Sequence, residues 1–195
     1  MIIGGSKLFH AASLWSLKVA SRIVDMVFYS SDPENNEIVK VAKQEFRDGI
    51  VVPRNKIVDY INESDCILIG PGLPRKEGQE VGDDDTKELT DRLLKKYAHK
   101  KWVIDGGSLQ TMEPSFIPKN AILTPHRKEF ETLFGFSEGN IQKTEDGKRM
   151  TDSRNMEKTD KTENQSSVES VQSAIRLQSS VLSHLAKEYN CIILL

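Results

Sequence analysis

Three short polar clusters stand directly after apolar runs of the sequence, and their residue types could bind a small molecule. They are Gly70-Pro71-Gly72, Asp105-Gly106-Gly107 and Thr124-Pro125-His126. If the runs are parallel strands, the clusters share the carboxyl edge of one sheet, where α/β proteins form their ligand crevice. Gly70 and Gly72 would let a ligand approach the backbone closely, because neither residue has a Cβ atom.

Asp105 and the Gly4-Gly5-Ser6 turn are further candidates for binding a nucleotide. A carboxylate at a strand end can bind a ribose hydroxyl or hold magnesium through water. The structural alternative for Asp105 is an aspartate that caps a helix or forms a turn. Gly4-Gly5-Ser6 follows the first apolar run, and its backbone N–H groups could bind a phosphate or a ribose. The alternative there is an ordinary tight turn.

His126 and Glu129 lie three residues apart at a predicted helix start, where both side chains could contact one ligand. The structural alternative is a histidine with no ligand and an acidic residue that favours the helix dipole. We assign no role to His10, His99 and His184. The sequence contains no histidine and carboxylate pair with zinc spacing, no glycine-rich Lys-Ser/Thr phosphate loop and no Gly-x-Ser-x-Gly elbow.

These candidates need a scaffold, and the sequence predicts one in which strands alternate with helices. Apolar runs predict strands at 1–3, 26–29, 50–52, 66–69, 102–104 and 121–123. Helical spacing predicts helices at 11–20, 36–46, 56–61, 86–97 and from 128 to 134. In the first helix, Trp15 and Val19 lie four residues apart. Because the strands are continuously apolar, we expect an α/β fold whose mostly parallel sheet is covered on both faces.

Composition places the chain among globular proteins. It has 195 residues, and a hydrophobic content of 37% excludes a wholly disordered chain. A net charge of −2 argues against a nucleic-acid partner. Cys66 and Cys191 stand in apolar runs, as buried free thiols do, and two cysteines are too few for a disulfide scaffold. No run reaches the roughly 18 to 20 apolar residues of a membrane span. We expect a cytoplasmic protein without a membrane partner.

Residues 137–167 differ from the rest of the chain because they are almost all polar or charged. They account for the low mean hydropathy of −0.46. Such a segment cannot bury enough surface to offset its ordering entropy, so we predict a mobile, solvated insertion, with a binding tail as the alternative.

This insertion would interrupt one partial domain, 1–136 and 168–195. A helical stripe from Val168 to Tyr189 and a core strand from Cys191 to Leu195 would complete the chain, which we expect to be cut inside that strand.

Taken in order, the motifs resemble one family, the NAD(P)H-hydrate dehydratases, relatives of the ribokinase-like carbohydrate kinases. The resemblance rests on Gly4-Gly5-Ser6 with Phe9-His10-Ala11-Ala12, on Ile69-Gly70-Pro71-Gly72-Leu73, on Val103-Ile104-Asp105, and on Thr124-Pro125-His126-Arg127-Lys128-Glu129-Phe130 followed by Leu133 and Gly135. It covers Ile2 to Gly135. It implies a three-layer α/β/α ribokinase-like fold with a mostly parallel central sheet, incomplete at the C-terminus.

The resemblance also implies a nucleotide-dependent repair reaction. In that reaction hydrated NADH or NADPH is phosphorylated on its added hydroxyl, and phosphate is then eliminated to regenerate the reduced cofactor. The histidine of Thr-Pro-His resembles the prokaryotic form, which uses ADP, whereas the eukaryotic form usually has Asn there and uses ATP. Mg²⁺ is the implied metal cofactor. The resemblance allows a homo-oligomer and an NAD(P)H-hydrate epimerase as partners.

Site residues can be assigned only by motif match. The residues that would contact the hydrated cofactor are Ala12, Gly72 and His126. Those that would support the site or its magnesium are Asp105 and Glu129. The residues that would form a phosphate or nucleotide loop are Gly4, Gly5, Ser6 and Gly70. The catalytic base of the family is an aspartate in a Gly-Thr-Gly-Asp motif, which this sequence lacks, so we expect it beyond Leu195.

The sequence also departs from the family pattern. Ala11 and Pro74 replace glycines of the first and second motifs, and Gly107 stands where many members have a second aspartate. The later Lys-Gly nucleotide segment is absent, so we predict that the chain as given is inactive. Two alternatives stay open: a sugar or hydroxyethylthiazole-type kinase of the same superfold, and a non-catalytic nucleotide-binding remnant.

Overall fold

The computed structural model describes residues 1–44, 49–75, 78–81, 83–135 and 179–194. By its contacts the chain divides into one unit of Met1–Gly135 with Tyr189–Leu195 and a second unit of Phe136–Glu188. In the second unit, the described residues 179–188 form a helix. The predicted insertion at 137–167 and the predicted domain limits at 136 and 168 lie outside the described residues.

A parallel sheet forms the centre of the first unit. Its strands are β1 (Ile2–Ile3), β2 (Phe28–Ser30), β3 (Ile50–Val51), β4 (Cys66–Ile69), β5 (Lys101–Ile104), β6 (Ile122–Leu123) and β7 (Ile192–Ile193). Their order across the sheet is β3-β2-β1-β4-β5-β6-β7, and every neighbouring pair is parallel. The carboxyl ends of β1, β4, β5 and β6 are therefore consecutive along one edge.

Helices cover both faces of this sheet. They are α1 (Ala11–Ala20), α2 (Pro33–Ala42), α3 (Ile57–Glu63), α4 (Thr86–Lys96), α5 (Gly106–Thr111) and α6 (Arg127–Phe134). The helix at 179–188 in the second unit is α7. On β1, Ile2 packs into an apolar cluster with Leu17 of α1 and Val39 of α2. Its neighbour Ile3 packs into a separate cluster with residues of α3, α4 and α5. Successive strand residues point to opposite faces, so these two clusters confirm the three-layer α/β/α fold with a parallel sheet.

Most element predictions are confirmed, and the differences have local causes. Helix α2 begins three residues before the predicted start, because the Asp32 side chain accepts hydrogen bonds from the Glu34 and Asn35 amides and Pro33 occupies its first turn. The short helix α5 was not predicted, since its glycines indicate a turn. Among the described residues, no helix is both long enough and apolar enough to cross a membrane.

Two burial expectations, for Cys66 and for the last strand, are wrong, and the packing of α1 differs from what its largest apolar residues indicate. Trp15 and Val19 do not face the sheet: they are 66% and 60% exposed, and α1 packs instead through Leu17 and the small Ser13. Cys66 is exposed at the amino end of its strand, whereas Cys191 is buried as expected. The last strand is not a core strand in the described structure. It pairs with β6 on one side only, which leaves Ile192 49% exposed.

Candidate functional site

Four loops meet at the carboxyl edge of β1, β4, β5 and β6. The Gly5 amide donates to Pro71 O at 2.8 Å, which joins the first loop to the second. The Gly107 amide donates to Gly70 O at 3.2 Å, which joins the second loop to the third. Thr124 Oγ1 donates to Asp105 Oδ1 at 2.8 Å and so joins the third loop to the fourth. The prediction that the polar clusters share one edge is confirmed.

Glycines allow these loops to pack backbone against backbone. A Cβ atom on Gly4 would lie 2.3 Å from Pro71 O, and one on Gly70, where φ is +117°, would lie 1.7 Å from Asp105 O. At Gly107 a Cβ atom would lie 2.1 Å from Leu73 O. A second aspartate at this last position would therefore not fit between the loops as they are packed here.

The Gly4-Gly5-Ser6 amides are already hydrogen-bonded within the protein. Gly4 N donates to Ser30 O at 3.1 Å, Gly5 N to Pro71 O, and Ser6 N to Phe9 O at 3.3 Å. Gly70 N likewise donates to Ile3 O at 3.0 Å. In this conformation the backbone N–H groups of the first loop hold the neighbouring loops. Their phosphate-binding role stays a prediction.

Asp105 ends β5 and precedes α5. Although it occupies the N-cap position of that helix, its side chain makes no capping hydrogen bond and reaches across to Thr124. Asp105 is only partly buried, so a ligand in the crevice could reach its carboxylate. Among the described residues, no group of three or more His, Cys, Asp or Glu side chains could hold a metal ion.

His126 and Glu129 form the start of α6. The His126 Nδ1 atom accepts from the Lys128 and Glu129 amides at 3.1 and 3.3 Å, and Glu129 Oε2 accepts from the His126 amide at 3.0 Å. This is a capping box, with histidine in place of the usual serine or threonine. Glu129 Oε1 accepts from Gln110 Nε2 at 2.8 Å. Both residues therefore stabilise the helix start, and their role in ligand binding stays a prediction.

The two side chains differ in access to a ligand. The Glu129 side chain is only 6% exposed, and both of its oxygens accept hydrogen bonds from the protein. The His126 side chain is 63% exposed. Since Nδ1 accepts from two amides, neutral His126 carries its proton on Nε2, which lies 3.4 Å from Glu129 Oε1. Of the pair, His126 is the residue that a ligand can contact directly.

Gly72 and Ala12 lie at the first two loops. A Cβ atom on Gly72, where φ is +74°, would lie 2.8 Å from Phe9 O and 3.2 Å from the Gly5 Cα atom. Gly72 therefore packs against the loop that leads into α1. Ala12 lies in the first turn of that helix and is half-buried. The structure brings these two predicted contacts to the same end of the sheet.

A buried polar network beneath the first loop was missed at the sequence level. Tyr29 OH lies 2.8 Å from Ser13 Oγ and accepts from Asn35 Nδ2 at 3.0 Å. Asn35 Oδ1 lies 2.9 Å from Nδ1 of His10, to which we assigned no role. Burial raises the pKa of the Tyr29 phenol, so it stays neutral and can share these hydrogen bonds. No sequence spacing indicates that residues 10 and 35 meet. The one feature of the sequence that points to His10 is its position between a glycine turn and a helix.

A cleft of about 780 Å³ lies beside the start of α6. It is lined by Pro74, Arg75, Gln79, Asp85, Thr86, Lys87, Gln110, Thr111, Lys128 and Thr132. None of the predicted site residues is in this set. Gln110 borders the cleft and also bonds Glu129, so the cleft is separated from the capping box by one side chain.

Comparison with known proteins gives one consistent family. A family model named Carb_kinase and described as NAD(P)H-hydrate dehydratase matches residues 1–195. The ADP-dependent (S)-NAD(P)H-hydrate dehydratase of Streptococcus thermophilus is 35% identical over 96 residues, which cover 46% of this chain and 32% of that protein. The bifunctional NAD(P)H-hydrate repair enzyme Nnr of Hyperthermus butylicus is 28% identical over 152 residues, which cover 69% of this chain and 26% of that protein. The chain spans about a third or less of the length of these relatives.

A solved structure supports the fold. The crystal structure of a hypothetical protein from Streptococcus mutans superposes with a TM-score of 0.50 at 19% sequence identity. The match covers 73% of this chain and 52% of that one. At this identity the likeness concerns the α/β architecture alone.

Proposed function

Because the chain belongs to the NAD(P)H-hydrate dehydratase family, we propose that it serves the ADP-dependent dehydration of (S)-NAD(P)H-hydrate to NAD(P)H. The observation that carries this proposal is the meeting of four motif loops at one sheet edge, joined by the hydrogen bond from Thr124 to Asp105. The Streptococcus thermophilus relative is named for the same ADP-dependent reaction. His126 in Thr-Pro-His favours ADP over ATP as the phosphoryl donor.

We assign the ligand contacts from motif and access together. The His126 side chain is 63% exposed, with its Nε2 3.4 Å from Glu129 Oε1, and Ala12 and Gly72 are small, half-buried residues that would leave room for the hydrated cofactor. Glu129 acts indirectly, because its buried carboxylate fixes the His126 backbone. The loops lie close enough for one ligand to touch several of them because of the residues Gly4, Gly5, Ser6 and Gly70. We also propose that these four residues form the phosphate or nucleotide loop.

Asp105 is the residue that we propose for magnesium. Mg²⁺ in proteins keeps several waters and is commonly held by one or two carboxylates together with substrate phosphates. Asp105 Oδ1 accepts from Thr124, and Oδ2 has no hydrogen-bond donor in the part of the chain that the structure describes. Glu129 fits a magnesium role less well, because hydrogen bonds already occupy both of its oxygens. Bound magnesium would neutralise charge on the transferring phosphoryl group.

The setting of the reaction is part of the proposal. We infer a cytoplasmic location, on the small number of cysteines and the absence of an apolar run long enough to span a membrane. We also propose that an NAD(P)H-hydrate epimerase supplies the (S) form. The Hyperthermus butylicus relative, a bifunctional repair enzyme, supports this pairing by its name. The homo-oligomer expected from the resemblance is retained as a proposal.

The proposal is tested by binding first and by turnover second. We expect calorimetric titration of the 195-residue chain with (S)-NADH-hydrate to show saturable binding that Asp105→Asn weakens about tenfold in the presence of ADP and Mg²⁺. Asp25→Asn, at an exposed position of the same charge, is the matched control. Turnover is measured as recovery of the NADH absorbance band with ADP, and we expect it only from a chain that also carries the Gly-Thr-Gly-Asp motif expected beyond Leu195. Binding of a sugar or a thiazole alcohol instead of the hydrated cofactor would contradict the proposal.

A further inference from the structure

His10 is held at the start of α1 by a chain of buried side chains. Its Nδ1 atom lies 2.9 Å from Asn35 Oδ1. Asn35 is fully buried and so are Tyr29 and Ser31, to which its amide nitrogen donates at 3.0 and 2.8 Å. The half-buried His10 ring is thus joined through Asn35 to two further buried side chains, and such a network fixes the orientation of its members.

The direction of each hydrogen bond in this series of side chains follows from its last member, Asp32. Ser31 Oγ donates to the carboxylate of Asp32, which can only accept. Ser31 must therefore accept from Asn35, and this places the Asn35 NH₂ group on the side of Ser31 and its carbonyl oxygen on the side of His10. A carbonyl oxygen cannot donate, so the His10 Nδ1 atom must carry the proton.

The second ring nitrogen of His10 is then fixed as an acceptor. In neutral histidine only one nitrogen is protonated, and the partner of that nitrogen decides which one it is. With the proton on Nδ1, the lone pair is on Nε2. In the part of the chain that the structure describes, Nδ1 has a hydrogen-bond partner and Nε2 has none.

His10 also lies where a ligand is expected. It stands between Phe9, whose carbonyl packs against Gly72, and the first turn of α1, which contains Ala12. The ring is half-buried, so it retains access to solvent. His126 at the other end of the edge has the opposite arrangement, with Nδ1 as acceptor and Nε2 as donor.

We propose that His10 is a binding residue whose Nε2 accepts a hydrogen bond from a hydroxyl or amide N–H group of the hydrated nicotinamide nucleotide. This inference rests on the proposed function. Asn35 is the positioning residue, since it sets the tautomer and the orientation of the ring. The network is thus a device that orients one acceptor toward the ligand, at the point where the first motif enters its helix.

The first test reads the tautomer without any ligand. Long-range proton–nitrogen spectra of the chain labelled with ¹⁵N-histidine distinguish a protonated Nδ1 from a protonated Nε2. We expect His10 to carry its proton on Nδ1 and His126 on Nε2. The His10→Asn and His126→Asn variants assign the two sets of signals. A His10 protonated on Nε2 in the free protein would overturn the inference whatever the ligand does.

The second test adds (S)-NADH-hydrate as the probe. We expect the His10 Nε2 signal to move saturably, and His10→Asn to weaken binding about tenfold, because Asn can bond Asn35 but is too short to reach the ligand. His184→Asn, at an exposed position on α7, should leave binding unchanged. Saturation seen at other residues without a change at Nε2 overturns the role of His10 alone. No saturable binding at any residue overturns the proposed function, and the inference falls with it.

Discussion

The starts of α1 and α6 both carry a histidine at the N-cap, and the two are stabilised in opposite ways. At α6, His126 bonds the amides of its own first turn, and Glu129 bonds back to the His126 amide. At α1, His10 makes no capping bond and is tied to Asn35, which is distant in sequence. Helix α6 buries the apolar residues Phe130 and Leu133, whereas α1 buries Ser13 and Leu17.

This difference separates local from long-range determinants of the site. The start of α6 is specified by residues within one helical turn, so its geometry follows from a short motif. The start of α1 depends on residues of β2 and α2, which come close to it only in the folded chain. We therefore expect substitutions near α1 to act on the whole unit and substitutions near α6 to act locally.

The largest effect on the polar network at α1 should come from Gly5→Ala. Gly5 has a φ of +73°, and an added Cβ atom would lie 2.1 Å from Asn35 Nδ2 and 2.6 Å from Ser31 Oγ. Those atoms are fixed by buried hydrogen bonds, so they cannot move away cheaply. We expect a loss of about 3 kcal/mol or more in the free energy of unfolding, measured by urea denaturation.

Gly135→Ala is the matched control for Gly5→Ala. Gly135 ends α6 with a φ of +69°, but an added Cβ atom meets nothing within 4 Å. It should cost only about 1 kcal/mol, the ordinary strain of a non-glycine residue in this conformation. Equal losses for the two variants would mean that the backbone angle, and not the polar network, makes Gly5 necessary.

The second prediction removes one hydroxyl from the α1 network. Tyr29→Phe leaves Ser13 and Asn35 each with one hydrogen bond fewer in a fully buried position. We expect the free energy of unfolding to fall by about 1 to 3 kcal/mol. Tyr60→Phe is a suitable control, because Tyr60 is half-buried at the edge of the other cluster. A smaller loss at Tyr29 than at Tyr60 would contradict the importance of the network.

The same variant predicts a pH dependence with a definite sign. Burial raises the pKa of Tyr29, so in the folded state the phenol ionises at higher pH than in the unfolded state. Its contribution to stability is present below about pH 10, the value for an unfolded tyrosine, and is lost as the pH rises through the folded pKa. Stability should therefore fall more steeply above about pH 10 in the wild type than in Tyr29→Phe. Parallel pH profiles would rule out this contribution.

The sequence predicts the elements better than it predicts the network. Apolar runs locate every strand of the described sheet, and the order of the motifs places Asp105 and Thr124 on one edge, as observed. The face of α1 could not be predicted, because Trp15 and Val19 are the larger apolar residues and yet Leu17 packs on the sheet. Hydrogen bonds between His10 and Asn35 depend on how α1 and α2 lie on that sheet, which no local spacing records.

The third prediction separates capping from ligand binding at α6. His126→Ala removes the acceptor for two amides and should cost about 1 kcal/mol in stability. His126→Asn keeps a capping acceptor and should recover most of that loss, because Asn is among the best N-cap residues. If His126 also contacts the hydrated cofactor, both variants should bind (S)-NADH-hydrate more weakly than the wild type. Full recovery of binding in His126→Asn would reduce the histidine to its capping role or show that Asn serves equally well.

The smallest effect is expected on the outer face of α1. Trp15 is 66% exposed, so Trp15→Gln should change the free energy of unfolding by no more than about 0.5 kcal/mol. Leu17, two residues on, is fully buried, and Leu17→Ala should cost about 2 to 5 kcal/mol. Urea denaturation of the two variants measures both losses. It compares an exposed tryptophan with a smaller but buried leucine of the same helix. A loss at Trp15 close to that at Leu17 would mean that the outer face of α1 is covered in solution. The two helices would then differ in the residues that their N-terminal histidines bond, and not in how their apolar faces are buried.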